Sequence, residues 1–315
     1  MDEVQPKHAL AIDRRRVISG GLLVCAPFAG SSSAQDRAAE FGTSGLDRGR
    51  VTVPVQINDG RALKFAVDSA ANCSVIASDL IAPLGLPLGE TLTMHTLVGR
   101  EETPSVRADR LHSDALTAKG VRLAVGNRLA MDGLDGLLGA DLLTNHRLLL
   151  NFKGQARTRI SRSRSAARGF FDPVNPSARL NATPLPRFGD LLSIPIRIGS
   201  APGIGIIDSG AGVSVLNRAA AAAGRATPAA LDGGATGARV QSPTGRTAPV
   251  DVMLLPALGF AGVTISRVPV LVGDLHTFDI WGAADRPAML MGVDILGLFD
   301  SVMIDLKRGE FTLKV

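Results

Sequence analysis

Two stretches of this chain repeat one another, and the repeat limits the possible folds more than any single motif does. Residues 51–86, "VTVPVQINDGRALKFAVDSAANCSVIASDLIAPLGL", lie beside residues 191–225, "LLSIPIRIGSAPGIGIIDSGAGVSVLNRAAAAAGR". Val-Pro-Val-Gln-Ile answers Ile-Pro-Ile-Arg-Ile, a turn follows, and a second apolar run ends in Asp-Ser. Next come Ala71 or Ala211, Ser74 or Ser214, and a helix-compatible stretch that stops at Gly85 or Gly224. Further on, residues 133–160 parallel residues 287–313. An apolar run meets Gly139 or Gly292, Asp141 or Asp294 follows, and the alternating runs "LLLNF" and "VMIDL" lead to a last strand. The blocks keep one order in both halves, so the chain predicts two lobes built to one plan.

Between the blocks each half carries a hairpin signal. Residues 93–111 turn around Gly99, and residues 238–255 turn around Thr244-Gly245. Alternating apolar residues on either side of a turn read as paired strands. The 35 Gly and 18 Pro also suit short strands and turns better than long helices. At 45% hydrophobic and 20% charged residues, 315 residues can bury a sizeable core.

The net charge of +5 is local in origin. Lys153, Arg157, Arg159, Arg162, Arg164 and Arg168 fall in one stretch without an acidic residue, and the rest of the chain is near neutral. A solvated basic stretch over residues 153–169 accounts for this better than a nucleic-acid patch, and the Arg-, Ser- and Pro-rich residues 161–186 read as the linker between lobes. With no Tyr and one Trp, the chain has little to stack on bases.

Residues 1–35 read as an export signal. Arg14-Arg15-Arg16 precede an apolar run from Val17 to Ala29, and small residues end at Ala34. That run is too short to cross a bilayer. The arginines resemble a twin-arginine signal, with an ordinary secretory signal as the alternative. The expected product is exported to a bacterial periplasm or secreted, with no stable membrane insertion once the signal is removed. Cys25 follows Val24, a poor lipoprotein match, and loss of the signal leaves Cys73 without a disulfide partner.

Why should a carboxylate end an apolar strand, where desolvation penalises its charge? One Asp-Ser-Gly-Ala segment could be a strand-ending turn. Two equivalent segments, one per lobe, point instead to a site between lobes. A pseudo-twofold axis would bring Asp68 opposite Asp208. Two carboxyls about 3 Å apart cannot both ionise, so they share a proton. The ionised one can take a proton from water while the other donates to a carbonyl oxygen, which hydrolyses an amide without a metal. Ser69 and Ser209 can hydrogen-bond across the lobe contact.

"VDSAANCSVI" and "IDSGAGVSVL", followed by "GLLGADLL" and "MLMGVDIL", resemble the aspartic peptidases of the pepsin and retropepsin group. The likeness is nearest to the bacterial retropepsin-like branch, as two lobes in one chain. The resemblance implies an all-β, pepsin/retropepsin-like acid protease fold, two pseudo-twofold-related β lobes with short helices. It assigns lobes to residues 46–160 and 187–315. Asp68 and Asp208 become the catalytic pair, supported by Ser69, Ala70, Ala71, Ser209, Gly210 and Ala211. Gly99, Arg100, Thr244 and Gly245 become flap residues that close over a polypeptide bound in extended form. Gly139 and Gly292 become structural residues in strands behind the loops. The departure is Ala70, where the family usually has Gly. It keeps open an alternative, a non-catalytic pseudopeptidase that binds peptides.

Other chemistry finds little support. His8, His95, His112, His146 and His276 form no metal-binding spacing, and no cofactor or metal is implied. No Gly-x-Ser-x-Gly elbow is present. Asp141 and Asp294 read as helix N-caps, and Cys73 as a small core residue. One chain supplies both aspartates, so the expected state is a monomer with an internal pseudo-dimer.

Overall fold

A computed structural model describes residues 10–13, 46–47, 50–153, 158–163, 177–185, 188–229 and 237–314. Most of the proposed signal, and residues 164–176 of the linker, lie outside the described residues. The architecture is the expected all-β one, two barrel-like lobes with short helices.

Alternation sets the strands. In Arg50–Ile57 the side chains of Val53, Val55 and Ile57 point inward, while Pro54 and Gln56 point to solvent. This strand pairs with Ala62–Val67, which runs parallel to Gly136–Leu138. The sheet continues through Val75–Ala77, Leu116–Gly126 and Ser105–Ser113, and the last strand pairs back onto the first at Gln56 and Ile57. Closure removes the free edges.

The C-terminal lobe uses the same order. Phe188–Ile198 pairs with Ala201–Ile207, which runs parallel to Ala288–Met291. Val215–Leu216, Val263–Val272 and Thr247–Phe260 follow, and the last returns to the first through Arg197 and Ile198. Parallel and antiparallel contacts fall at matching places in the two barrels. Leu10–Asp13 adds a parallel strand beside Val263–Ser266.

Among the described residues, four short α-helices punctuate the strands: α1 (Ala140–Leu143), α2 (Arg218–Ala223), α3 (His276–Ile280) and α4 (Val293–Leu296). The Ala-rich stretch is helical as expected, capped by Asn217, which accepts a hydrogen bond from the Ala220 N–H. Its counterpart in the first half forms only a 3₁₀ turn over Ser78–Leu80.

A third sheet joins the halves. His146–Asn151 pairs with Ser301–Asp305, flanked by Arg159–Arg162, Glu310–Lys314 and Ser177–Asn181. Across this pairing Arg147 Nη2 donates to Asp305 Oδ2 at 2.8 Å and Nε donates to the same oxygen at 3.0 Å. Asp305 is fully buried, and Ser163 Oγ and the Arg308 N–H satisfy its remaining acceptor capacity. Removing one member of a buried pair leaves the other charge uncompensated, which is where the energetic weight of such a pair lies. Arg147→Met should therefore lower the unfolding free energy by about 3 kcal/mol in a denaturant titration, near the lower bound for a broken buried pair.

Candidate active site

Each barrel delivers one aspartate to the junction. Asp68 follows the strand Ala62–Val67 and Asp208 follows Ala201–Ile207. The Asp68 N–H donates to Leu138 O at 2.9 Å, and the Asp208 N–H donates to Met291 O at 3.0 Å. One turn on, Ala70 N–H and Ala71 N–H donate to Asp68 Oδ1 at 3.1 and 2.9 Å. In the other lobe, Gly210 N–H and Ala211 N–H donate to Asp208 Oδ1 at 2.8 and 2.9 Å. Each carboxyl is thus clamped through one oxygen, and the other is left for chemistry.

The serines tie the two loops together. Ser69 Oγ donates to Ile207 O at 2.8 Å and accepts from the Ser209 N–H at 3.1 Å. Reciprocally, Ser209 Oγ donates to Val67 O at 2.7 Å and accepts from the Ser69 N–H at 3.1 Å. Both serines are buried. Four reciprocal bonds between loops from different barrels fix the aspartates relative to each other.

The carboxyls of Asp68 and Asp208 line one cleft and act on each other's titration. Burial pushes both above the usual carboxylate range, and the Asp68 charge pushes Asp208 further. The backbone N–H donors and Arg50 pull in the opposite direction on both. Such a pair holds one proton between two sites, and its two titration steps belong to the pair.

The sequence did not point to Arg50. It leads its strand into the wall of the cleft, its side chain is mostly buried, and its Nη1 lies 3.3 Å from Asp132 Oδ2. A lone strand-leading arginine carries no local signal. Only the folded barrel brings it near the aspartates.

Small residues make the close approach possible. A Cβ on Gly210 would sit 2.4 Å from Asp68 Cγ, so no larger residue fits without displacing the carboxyl. The equivalent Ala70 keeps an ordinary negative φ and lines the cleft, and its N–H still reaches Asp68. The two sides of the site are therefore not identical: one admits a methyl and the other does not.

Two expectations need correction. Asp141 and Asp294 do not cap helices. Gly139 and Gly292 hold the N-cap positions of α1 and α4, and the aspartates sit in the first turns. Asp141 Oδ1 instead accepts from Ser74 Oγ at 2.7 Å, and Asp294 Oδ1 accepts from Ser214 Oγ at 2.6 Å. The same hydroxyls accept from the Gly139 and Gly292 N–H groups, both at 2.9 Å. The carboxylates thus brace the loops from behind. The two glycines are needed for close approach, since a Cβ would lie 2.8 Å from Ala71 O or Ala211 O. Cys73 is a core residue only in part, packed against the core from its edge. It is half-buried in the cleft wall, where burial and then the Asp141 charge push its thiol up.

Two hairpins roof the cleft. In the first, Leu92–Thr96 pairs with Gly99–Thr103; in the second, Gly237–Gln241 pairs with Thr247–Phe260. Gly99, Arg100, Thr244 and Gly245 all lie at their tips. Gly99 and Gly245 take φ values of 153° and 102°, which favour glycine. The tips meet: Thr244 Oγ1 donates to Glu101 Oε2, and Arg246 Nη1 donates to Arg100 O at 3.1 Å. The residues facing the cleft are their neighbours, His95 to Leu97 and Gln241 to Pro243. From the far wall α3 and its C-terminal neighbour contribute Thr277, Ile280 and Trp281, none of which carried a sequence signal.

Among the described residues, no group of three or more His, Cys, Asp or Glu could hold a metal ion. No helix among them is long and apolar enough to cross a membrane.

Comparison with known proteins gives the following. Residues 53–142 match the model of the aspartyl protease family. A retropepsin-like aspartic protease from Rickettsia conorii is 21% identical, over 32% of this chain and 76% of its own, with a TM-score of 0.26. Basic 7S globulin from soybean is 10% identical, over 84% of this chain and 91% of its own, with a TM-score of 0.45. A search of curated proteins finds no match. Residues 53–142 are thus similar to the aspartyl protease family.

The site makes two stability predictions. Gly210→Ala should destabilise the fold by about 1–3 kcal/mol in denaturant unfolding, the ordinary cost of overpacking. Asp208→Asn should do the reverse near neutral pH. The native-state values of both carboxyls are raised, so their burial stabilises the fold below the unfolded carboxylate range and costs stability as pH rises through the raised values. Melting curves should place the Asn variant above the parent at pH 7, with the gap closing towards pH 4.

Proposed function

We propose that this protein is an aspartic endopeptidase, in which Asp68 and Asp208 activate a water against the carbonyl carbon of a peptide bond. The observation that carries this reading is the pairing of two carboxyls in one cleft, Asp208 buried and Asp68 partly so, each clamped through one oxygen and roofed by two hairpins. A polypeptide threads under the hairpins in extended form, pairing its backbone with the cleft rim.

The pair begins with one proton. The ionised carboxylate takes a proton from the water as its oxygen attacks, while the protonated carboxyl donates to the carbonyl oxygen. A neutral gem-diol forms, and one aspartate is again protonated and one ionised. Breakdown sends a proton to the amine nitrogen as the carbon–nitrogen bond breaks, and the second carboxylate recovers one from a gem-diol hydroxyl. Water has been added across the amide, and the pair returns to its starting state.

Ala70 supports catalysis rather than peptide binding alone. Its methyl leaves the backbone unstrained and both N–H bonds to Asp68 intact, so the first loop keeps the geometry of the second. In this reading residues 1–35 direct export to a periplasm or beyond. The chain acts as a monomer because both aspartates reside in it.

Incubation of the protein with an unfolded protein mixture from pH 3 to 8, with new peptide ends scored by mass spectrometry, tests the reading. The expected result is cleavage strongest in acid and lowered at least about 10²–10⁴-fold in Asp208→Asn, the usual worth of a positioned proton-transfer group. Equal cleavage by parent and variant contradicts it.

A further inference from the structure

The first hairpin does not belong to its lobe's barrel. Leu92–Thr96 and Gly99–Thr103 form a two-stranded sheet of their own, and the tip reaches over the cleft to the other lobe. There the His276 N–H, at the start of α3, donates to Leu97 O at 3.1 Å. Beside that bond, His95 Nδ1 lies 2.9 Å from His276 Nε2, with the rings nearly parallel at 16°. We propose that this histidine pair is an acid-opened latch, which holds the hairpin down over the cleft near neutral pH and releases it as the pair takes up a second proton. The inference rests on the peptidase reading for its purpose, since it gates that same site.

The chemistry of the contact dictates the direction. A bond between two imidazole nitrogens needs one donor and one acceptor, so the pair can carry at most one proton at that contact. With one ring protonated the imidazolium still donates to its neutral partner; protonating the second ring as well makes both nitrogens donors and places two cations side by side. Arg100 adds a further positive charge from the hairpin, and Arg246 another from the opposing tip. The nearby carboxylates are otherwise engaged or turned away. Glu102 pairs with Arg100 at 3.2 Å, Glu101 accepts from Thr96 and Thr244, and Asp274 pairs with Arg218. Asp279, the acidic residue of α3, is exposed and has no ion pair with either histidine.

Partial loss of solvent at the contact, then the His276 and Arg100 charges, hold the His95 imidazole below its ordinary value. A group whose value is lowered in the latched state supports latching fully above its free value, about 6.5 for histidine. That support is lost as pH falls through the lowered value. The latch is therefore shut near neutrality and open in acid, where the aspartate pair holds its working proton. The tip is also held by Arg246 to Arg100 O, His276 N–H to Leu97 O and Thr244 to Glu101, none of which uses an imidazole ring, so the histidine pair supplies the acid-sensitive part of the closure.

The chain carries its own reporter. Trp281, its single tryptophan, is 5% exposed and lines the cleft beneath the latch. Acrylamide quenching of Trp281 in the full chain, from pH 8 to 4.5, reads opening independently of cleavage, with far-UV circular dichroism confirming the fold at each pH. The expected result is a rise in quenching with decreasing pH, the opening equilibrium shifting by up to about tenfold per pH unit for one linked proton. His95→Gln keeps a neutral hydrogen-bonding side chain at an exposed position and should flatten the profile; His276→Asn should flatten it from the other side. An unchanged rise in both variants, or no rise in the parent with its fold intact, overturns the latch. If the parent shows the rise but neither cleaves protein nor differs from Asp208→Asn in the digest, the peptidase reading fails and the latch stands. If it cleaves but shows no rise, the latch alone fails.

Discussion

The reciprocal exchange between Ser69 and Ser209 is the contact on which the rest of the site depends. Each hydroxyl donates to the backbone carbonyl before the opposite aspartate and accepts from the opposite serine N–H. Two loops from separate barrels are thereby locked with their carboxyls together, against the mutual repulsion that two ionised carboxyls would exert. The repulsion is not removed by distance but by a proton. A buried pair in this arrangement keeps one proton over a wide pH range, and that state suits a group that must accept and donate in the same step.

The surrounding structure serves this contact in layers. Behind each loop a serine hydroxyl is held by an aspartate, Ser74 by Asp141 and Ser214 by Asp294, and in turn receives a glycine N–H. Behind those lie the barrels, whose apolar strands Gly136–Leu138 and Ala288–Met291 anchor the aspartate N–H groups. Beneath both barrels the shared sheet fixes one half against the other through Arg147 and Asp305. A site of this kind is preorganised, because its polar groups are fixed before substrate arrives.

Much of this was legible in the chain. The repeat placed Asp68 and Asp208 at equivalent positions, the alternation in "VPVQI" and "IPIRI" set strands, and the serines followed from their place beside the aspartates. What failed to show was whatever depends on distant chain meeting distant chain. Asp141 and Asp294 looked like caps because an acidic residue opens each helix. Only the backbone shows that a glycine already holds the cap and that the carboxylate turns back to a serine. His95 and His276 stand 181 residues apart, and no spacing rule joins them. Arg50 and Trp281 enter the cleft through barrel closure and through the position of α3. Cys73 packs against the core as its small apolar neighbours suggest, but the loop carrying it also faces the cleft, which no local signal shows.

The central claim is that one proton is shared between two carboxyls at the lobe junction, and carboxyl-carbon NMR of ¹³C-aspartate protein tests it most directly. Followed from pH 3 to 8, the account predicts two coupled resonances, one of which titrates well above the usual carboxylate range and returns towards an isolated carboxyl's behaviour in Asp208→Asn. Two independent titrations, both in the ordinary aspartate range and unmoved by that substitution, would contradict it.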